Sequence, residues 1–448
     1  MMISRSGKGG DTAMKSIGLD IGTTSLAAVV MDETGKVFDV ITAEHGAALS
    51  GRPYERLQDA KKLEALCFQM LDTLMHRHSD VASVGVTGQM HGIVYLSQCG
   101  ELLSPLYTWQ DERGALPYAG STCWAEYLSN VTGHPLAIGY GMVTHCVNRA
   151  YRIVPESAAT FCTIQDYIAM KIAGLHKPQM DPSNAASLGM FDLTRECFDK
   201  EAAIRIGIEE EMLPEIAAAP LLGKGALGLL VYRAIGDNQA AFLGAVGEAR
   251  DVALINIGTG GQITIYTDKC IDIPLLERRP FLDGRWLLVG AQLCGGRSYA
   301  LLERFFRQTV QMITGDDCEA YSAMERALMS AEAKQDYPKF VTTFQGTRQD
   351  PMLRGSISEI STDNFTPLHF MYGIMHGMTQ ELYEMCQSYV EAGGCWPKKL
   401  VGAGNALRKN PTLCKILSDT FKCDFNLSAY PEEAACGAAR YALFGGRV

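Results

Sequence analysis

Apolar and polar positions alternate with period two where Ile17, Leu19 and Ile21 stand between Gly18, Asp20 and Gly22, which predicts a strand running into a turn. The chain turns through Gly22, Thr23, Thr24 and Ser25 and resumes as a second apolar run, Leu26 to Met31. Asp32-Glu33-Thr34-Gly35 reads as a turn leading to a third strand, Lys36 to Ile41. Ala60 to His76 carries Leu63, Leu66, Cys67, Met70, Leu71 and Leu74 at helical spacing, so an amphipathic helix with one buried face is expected. Val81 to Val86 is a short apolar strand that runs into Thr87-Gly88-Gln89-Met90-His91-Gly92. Strands alternating with helices in this way predict an α/β domain.

Phe161 to Gly174 reads as strand then helix, and Met180 to Ser187 as a polar loop. Leu227 to Ile235 is mostly apolar and meets Gly236-Asp237-Asn238-Gln239, followed by an Ala-rich helix, Ala240 to Val246. Ala253 to Tyr266 then repeats the opening hairpin, with Ile255-Asn256-Ile257-Gly258-Thr259 matching Leu19-Asp20-Ile21-Gly22-Thr23. A self-similar unit half a chain away predicts two related domains, 14–245 and 246–448, with a hinge near Leu243 to Arg250. The length of 448 residues suits two such domains. In the second half, helices are expected over Ser298 to Gln311, most of Phe365 to Ala392, and from Thr412. A strand ends in Gly402-Ala403-Gly404-Asn405, and Glu432 to Leu443 is a small-residue helix able to pack closely.

The net charge of −10 argues against nucleic acid or an anionic membrane as partner. No apolar run reaches membrane-spanning length and no secretory pattern opens the chain. The 14 cysteines include no C-x-x-C pair, and several sit inside apolar runs, so reduced thiols and a cytoplasmic location are expected. Residues 1–13 lack periodicity and read as a disordered leader, with Met14 as a start. Monomer and homodimer both stay open.

Chemistry enters at the turns. A bend rich in glycine and hydroxyls exposes backbone N–H groups suited to phosphate oxygens, and the Asp20 carboxylate beside it could hold Mg²⁺. Two such turns facing each other would clamp a nucleoside triphosphate. Gln89-Met90-His91 ends a buried strand, where α/β sheets place ligand contacts, although backbone carbonyls could equally satisfy the histidine. Trp109 beside Asp111 and Arg113 suits a sugar, or else a solvated loop with one buried ring. Asp237 is either a helix N-cap or a carboxylate able to take a proton from a substrate hydroxyl. The small residues of Gly402 to Asn405 could lie against adenine, or form a plain strand-to-helix loop.

These stretches together resemble the FGGY family of carbohydrate kinases, in the actin, Hsp70 and sugar-kinase superfamily, over Lys15 to Gly445. The motifs are Asp20-Ile21-Gly22-Thr23-Thr24, Gly88-Gln89-Met90-His91-Gly92, Gly236-Asp237-Asn238, Gly258-Thr259-Gly260 and Gly402-Ala403-Gly404-Asn405. The resemblance implies an α/β fold of two ribonuclease-H-like domains with an interdomain cleft, taking ATP, Mg²⁺ and a sugar. It implies Asp237 as catalytic base, Asp20 at the Mg²⁺ site, and Thr23, Thr24, Gly258, Thr259 and Gly260 on the phosphates. Gly404 and Asn405 would flank adenosine. Met90, His91, Asp237 and Asn238 would touch the sugar, joined by Gln89, Trp109 and Asp111 from the residue reading. Leu106 to Arg113, Gln165 to Gly174 and Lys177 to Phe191 resemble the sedoheptulokinase branch more than the xylulokinase branch. The second turn is richer in glycine than the Ser/Thr form common in the family, which leaves open which hydroxyls meet the γ-phosphate. The expected reaction is phosphorylation of a primary hydroxyl of a ketose. Sedoheptulose is the favoured substrate and xylulose or another sugar or polyol the alternative. Rivals from other classes are an actin- or Hsp70-like ATPase switch, and a non-catalytic sugar sensor, which Asp20 and Asp237 disfavour.

Overall fold

The computed structural model describes residues 14–247, 249–330, 335–347, 350 and 352–446. The leader expected over residues 1–13 lies outside them. The described residues fall into two compact units, 14–244 with 432–446, and 245–431.

The first unit is built on β1 (Lys15–Ile21), β2 (Ser25–Asp32), β3 (Val37–Glu44), β4 (Val81–Gly88), β5 (Leu221–Lys224), β6 (Leu230–Tyr232) and β7 (Ile235–Gly236). The strand order is β5-β6-β4-β1-β2-β3, with β7 also pairing with β4. Ile17, Leu19 and Ile21 of β1 are wholly buried, whereas β3 at the sheet edge alternates between half-buried and exposed positions, as a strand with one wet face should. Helix α1 (Ala60–Arg77) is capped by the Asp59 side chain and buries Leu63, Cys67, Met70, Leu71 and Leu74. Further along the chain lie α2 (Ile164–Ala173) and α3 (Pro182–Leu188). The latter occupies the stretch expected to be a loop. Asp181 caps it and Pro182 fills its first turn, but its buried positions include Ser183, Asn184 and Ser187, so no apolar stripe announces a helix. Helix α4 (Asp237–Val246) follows β7 directly.

Strands β1, β4 and β7 are parallel, and Thr87 of β4 is in register with Asp20 on one side and Ile235 on the other. Their carboxyl ends therefore lie side by side, the usual place for ligand contacts in such sheets.

The second unit repeats this plan. Strands β8 (Val252–Ile257), β9 (Gly261–Thr267), β10 (Glu277–Pro280), β11 (Trp286–Gln292), β12 (Lys399–Ala403) and β13 (Asp424–Leu427) form a sheet in the order β10-β11-β9-β8-β12-β13. As in the first unit, a hairpin is flanked by an antiparallel strand on one side and a parallel strand on the other. Helices α5 (Gly295–Thr314), α6 (Pro367–Glu391) and α7 (Pro411–Phe421) accompany the sheet. Met371, Met375, Met378 and Leu382 of α6 are in its core.

The last helix, Glu433–Leu443, falls within the second domain of the expected division, 246–448, and within the first compact unit of the structure. It packs on β1 and β4 of the first unit. A Cβ at Gly18 would lie 1.9 Å from the Ala435 carbonyl oxygen, and one at Gly85 1.9 Å from that of Ala438. Glycines in the sheet against alanines in the helix let the two backbones touch. The cysteines are all free. Among the described residues no helix is long and apolar enough to cross a membrane.

Candidate functional site

In the first unit the parallel strand ends bring together Asp20, the segment Gln89-Met90-His91, and Asp237, which opens α4 immediately after β7. Burial, and then the negative charges of Asp237 and Glu432, push the Asp20 carboxyl up to about 7. Its Oδ1 is buried and has no hydrogen-bond partner among the described residues. An orphaned carboxylate oxygen among like charges is an arrangement that a divalent cation relieves, so the donor set fits Mg²⁺. Among the described residues no cluster of three or more His, Cys, Asp or Glu is placed to hold a metal, so phosphate or water oxygens would have to complete the shell.

The turn between β1 and β2 is fixed from behind. Gly22 N–H donates to the Ser25 carbonyl at 3.0 Å. The Thr23 carbonyl accepts from Gln58 Nε2 at 2.7 Å and lies 3.0 Å from His45 Nε2. Trp109 Nε1 donates to Thr23 Oγ1 at 3.1 Å, which ties the proposed sugar loop to the turn while the ring stays 46% exposed. Thr24 is exposed at the tip. Gln89, expected at the sugar, has its Oε1 buried and without a hydrogen-bond partner among the described residues. It is buried, and its amide nitrogen donates to Gln58 Oε1 at 2.9 Å and the Gly22 carbonyl at 3.4 Å, so it holds the turn.

Met90 is buried, with its sulfur 2.8 Å from where a side chain on Gly236 would begin. His91 is half-exposed in the left-handed region at φ 73°, stacked on Tyr140 with ring centroids 4.8 Å apart. Its Nδ1 lies 2.7 Å from the Ser187 carbonyl, which can only accept, so Nδ1 carries the proton and Nε2 is the acceptor of the neutral ring. Asn238 is buried in the first turn of α4. Asp111, also expected at the sugar, is held within its own loop. It is wholly buried and Arg113 grips both of its oxygens, at 2.6 and 3.0 Å, while Arg56 N–H donates to Oδ2 at 3.0 Å. Its work is to anchor the Trp109 loop.

In the second unit, Gly258 N–H donates to the Gly260 carbonyl at 3.0 Å, and Thr259 is exposed. The head of α5 abuts this turn: Gly296 N–H donates to the Gly258 carbonyl at 3.1 Å and Arg297 N–H to that of Thr259 at 3.0 Å. Residues 295–297 were not among the expected site positions, and a glycine pair opening a helix after a strand was the only signal for them. On the neighbouring parallel strand, Ala403 is in register with Asn256, and Gly404 follows at φ 89°. A Cβ there would lie 2.5 Å from Asn256 Oδ1, so only glycine fits, and the exposed Asn405 starts a short helix. Asn256 holds the place that Asp20 holds in the first unit. Of the two turns, therefore, only the first has a carboxylate at this position.

The family model for the FGGY family of carbohydrate kinases, N-terminal domain, matches residues 15–224, and that for the C-terminal domain matches residues 253–445. The sedoheptulokinase of Mus musculus is 27% identical over 463 residues, covering 91% of this chain and 92% of that one. The xylulose kinase of Staphylococcus xylosus is 24% identical, covering 96% and 90%. Among solved structures, the xylulose kinase from Rhodospirillum rubrum superposes with a TM-score of 0.80 at 20% identity, covering 95% of this chain and 88% of that one. The gluconate kinase from Lactobacillus acidophilus gives 0.78 at 20% identity, covering 97% and 89%.

Proposed function

The chain belongs to the FGGY family of carbohydrate kinases, phosphotransferases that act on a sugar hydroxyl, and from that premise we propose that it phosphorylates a primary hydroxyl of a ketose, sedoheptulose at its far end. The observation that carries the reading is the pairing of Asp20 with Asp237 at the ends of parallel strands, both in one unit and beside a glycine turn.

In this reading Asp237 accepts the proton of the sugar hydroxyl as its oxygen attacks the γ-phosphorus of ATP. The bond from that phosphorus to the β–γ bridging oxygen breaks, and ADP leaves. His91 presents Nε2 to a sugar hydroxyl, Trp109 packs on the sugar's C–H face, and Met90 and Asn238 complete the sugar side. Thr23 and Thr24 of the first turn, with Gly258, Thr259 and Gly260 of the second, hold phosphate oxygens through N–H and hydroxyl groups, and Gly404 and Asn405 flank adenosine. Asp20 would hold Mg²⁺, which supplies neutralisation of phosphate charge. Little covalent work falls to the protein, so orienting the hydroxyl and holding the phosphates carry the rate. The choice of sedoheptulose rests on the relatives named sedoheptulokinase.

The test is a coupled ADP-release assay with MgATP and a panel of sedoheptulose, xylulose, ribulose, fructose, gluconate and glycerol. Sedoheptulose should give the highest kcat/KM. A higher value for another member moves the substrate. ADP release that no sugar stimulates overturns the kinase reading in favour of a sugar-independent ATPase.

A further inference from the structure

The four residues that lead into Asp237 are each gripped by another residue of the same unit. Arg233 pairs with Asp181 at 2.6 Å. The Ala234 carbonyl accepts from Asn184 Nδ2 at 3.0 Å, and the Ile235 carbonyl from Thr87 Oγ1 at 2.8 Å. Gly236 N–H donates to Ser183 Oγ at 3.0 Å. Strand β7 is only two residues long, so these side chains, more than a sheet ladder, decide where it ends.

Three of the four grips come from the head of α3, the run that the sequence singled out without a role. The orientation of each donor and acceptor is determined. Ser183 Oγ donates its only hydrogen to Asp181 Oδ1 at 2.6 Å, which leaves its lone pairs for Gly236 N–H. Asn184 Oδ1 accepts from Gln165 Nε2 at 3.0 Å, which fixes the amide so that its nitrogen faces the Ala234 carbonyl. The last turn of the same helix holds the other sugar-side element. His91 N–H donates to Ser187 Oγ at 3.2 Å, and Ser187 also supplies the carbonyl that accepts from the ring.

We propose that α3 is a positioning element for the reaction: Ser183 and Asn184 aim the Asp237 carboxylate, and Ser187 aims the His91 ring, so that base and sugar contact are held in one register by one seven-residue helix. This rests on the reading of Asp237 as the base. Misplacing a reacting group by an ångström can cost about a hundredfold in rate, whereas sugar binding depends little on the aim of the base.

The experiment compares the wild-type chain with Ser183→Ala, Ser183→Thr and Ser187→Ala in the coupled assay, with thermal melts in parallel. Ser183→Ala should lower kcat by roughly ten- to a hundredfold while KM for the ketose stays within about twofold. Ser183→Thr, which keeps the acceptor oxygen, should recover most of the loss. Ser187→Ala should raise KM for the ketose about five- to tenfold, because it removes the hydroxyl that anchors the His91 backbone N–H, with kcat held within about threefold, because the grips on residues 234 and 236 stay in place. If Ser183→Ala keeps wild-type kcat, or if its loss follows a lowered melting midpoint and threonine does not rescue it, the inference is overturned. If Ser183→Ala does not fold, Ser187→Ala decides alone: an unchanged KM overturns the proposal. A wild-type chain that phosphorylates no sugar overturns the functional reading instead, so the two failures are distinct.

Discussion

Asp237→Asn separates chemistry from binding. The swap is nearly isosteric and leaves the grips on residues 233–236 in place, so the fold should survive. Loss of a general base typically removes about 10²- to 10⁴-fold in rate, equivalent to roughly 3–5 kcal/mol of transition-state stabilisation. The structure adds a second consequence. The Asp237 charge is the second largest cause, after burial, of the rise of the Asp20 carboxyl to about 7. Removing that charge should lower the Asp20 pKa, but not to its ordinary value, because the burial remains. The raised carboxyl is protonated below pH of about 7 and charged above it, so Mg²⁺ binding should strengthen as pH rises and should reach half-strength at lower pH in the variant. Calorimetry with the ketose should give a Kd within a few-fold of wild type, while coupled ADP release nearly disappears. Wild-type turnover in Asp237→Asn would refute the base assignment. An unshifted pH profile of Mg²⁺ binding would refute the electrostatic link to Asp20.

Two further outcomes follow from buried carboxyl groups away from the reacting atoms. Asp111→Ala leaves the buried Arg113 without its closest anion, so stability should drop by about 3–5 kcal/mol in a denaturant melt; normal stability with a raised sugar KM would return Asp111 to the substrate contacts. Burial pushes Asp166 up to about 8 from 3.8, so the folded chain keeps this proton at pH values where the unfolded chain has lost it. The stability it contributes is complete below pH of about 4 and is lost as pH rises towards 8, at up to about 1.4 kcal/mol per pH unit. Asp166→Asn should remove that slope, and parallel wild-type and variant stability curves between those limits would contradict it.

The alternation around Asp20, the matching hairpin around Asn256 and the glycine-bounded strand ends were legible because each is local: a period of two, a turn that needs glycine, a repeat at a fixed distance. Those signals were enough to propose two related α/β domains and to single out Asp20 and Asp237. The roles of Gln89 and Asp111 were not legible, since a polar residue in a loop reads the same whether it meets a ligand or a buried partner. Only the fold shows Gln89 bonded to Gln58, and Asp111 locked to Arg113. The assignment of Glu433–Leu443 to the first unit was equally hidden, because its small residues announce close packing without naming the surface they pack against. Nor could spacing alone reveal α3 as a buried polar helix, whose hydroxyls and amides acquire meaning from carbonyls and N–H groups as many as 96 residues away. The sequence by itself determined the elements and the chemistry available at their ends, because both depend on neighbours in the chain. Tertiary structure decided which polar groups are left to meet a substrate, because that depends on which of them the rest of the fold has already satisfied.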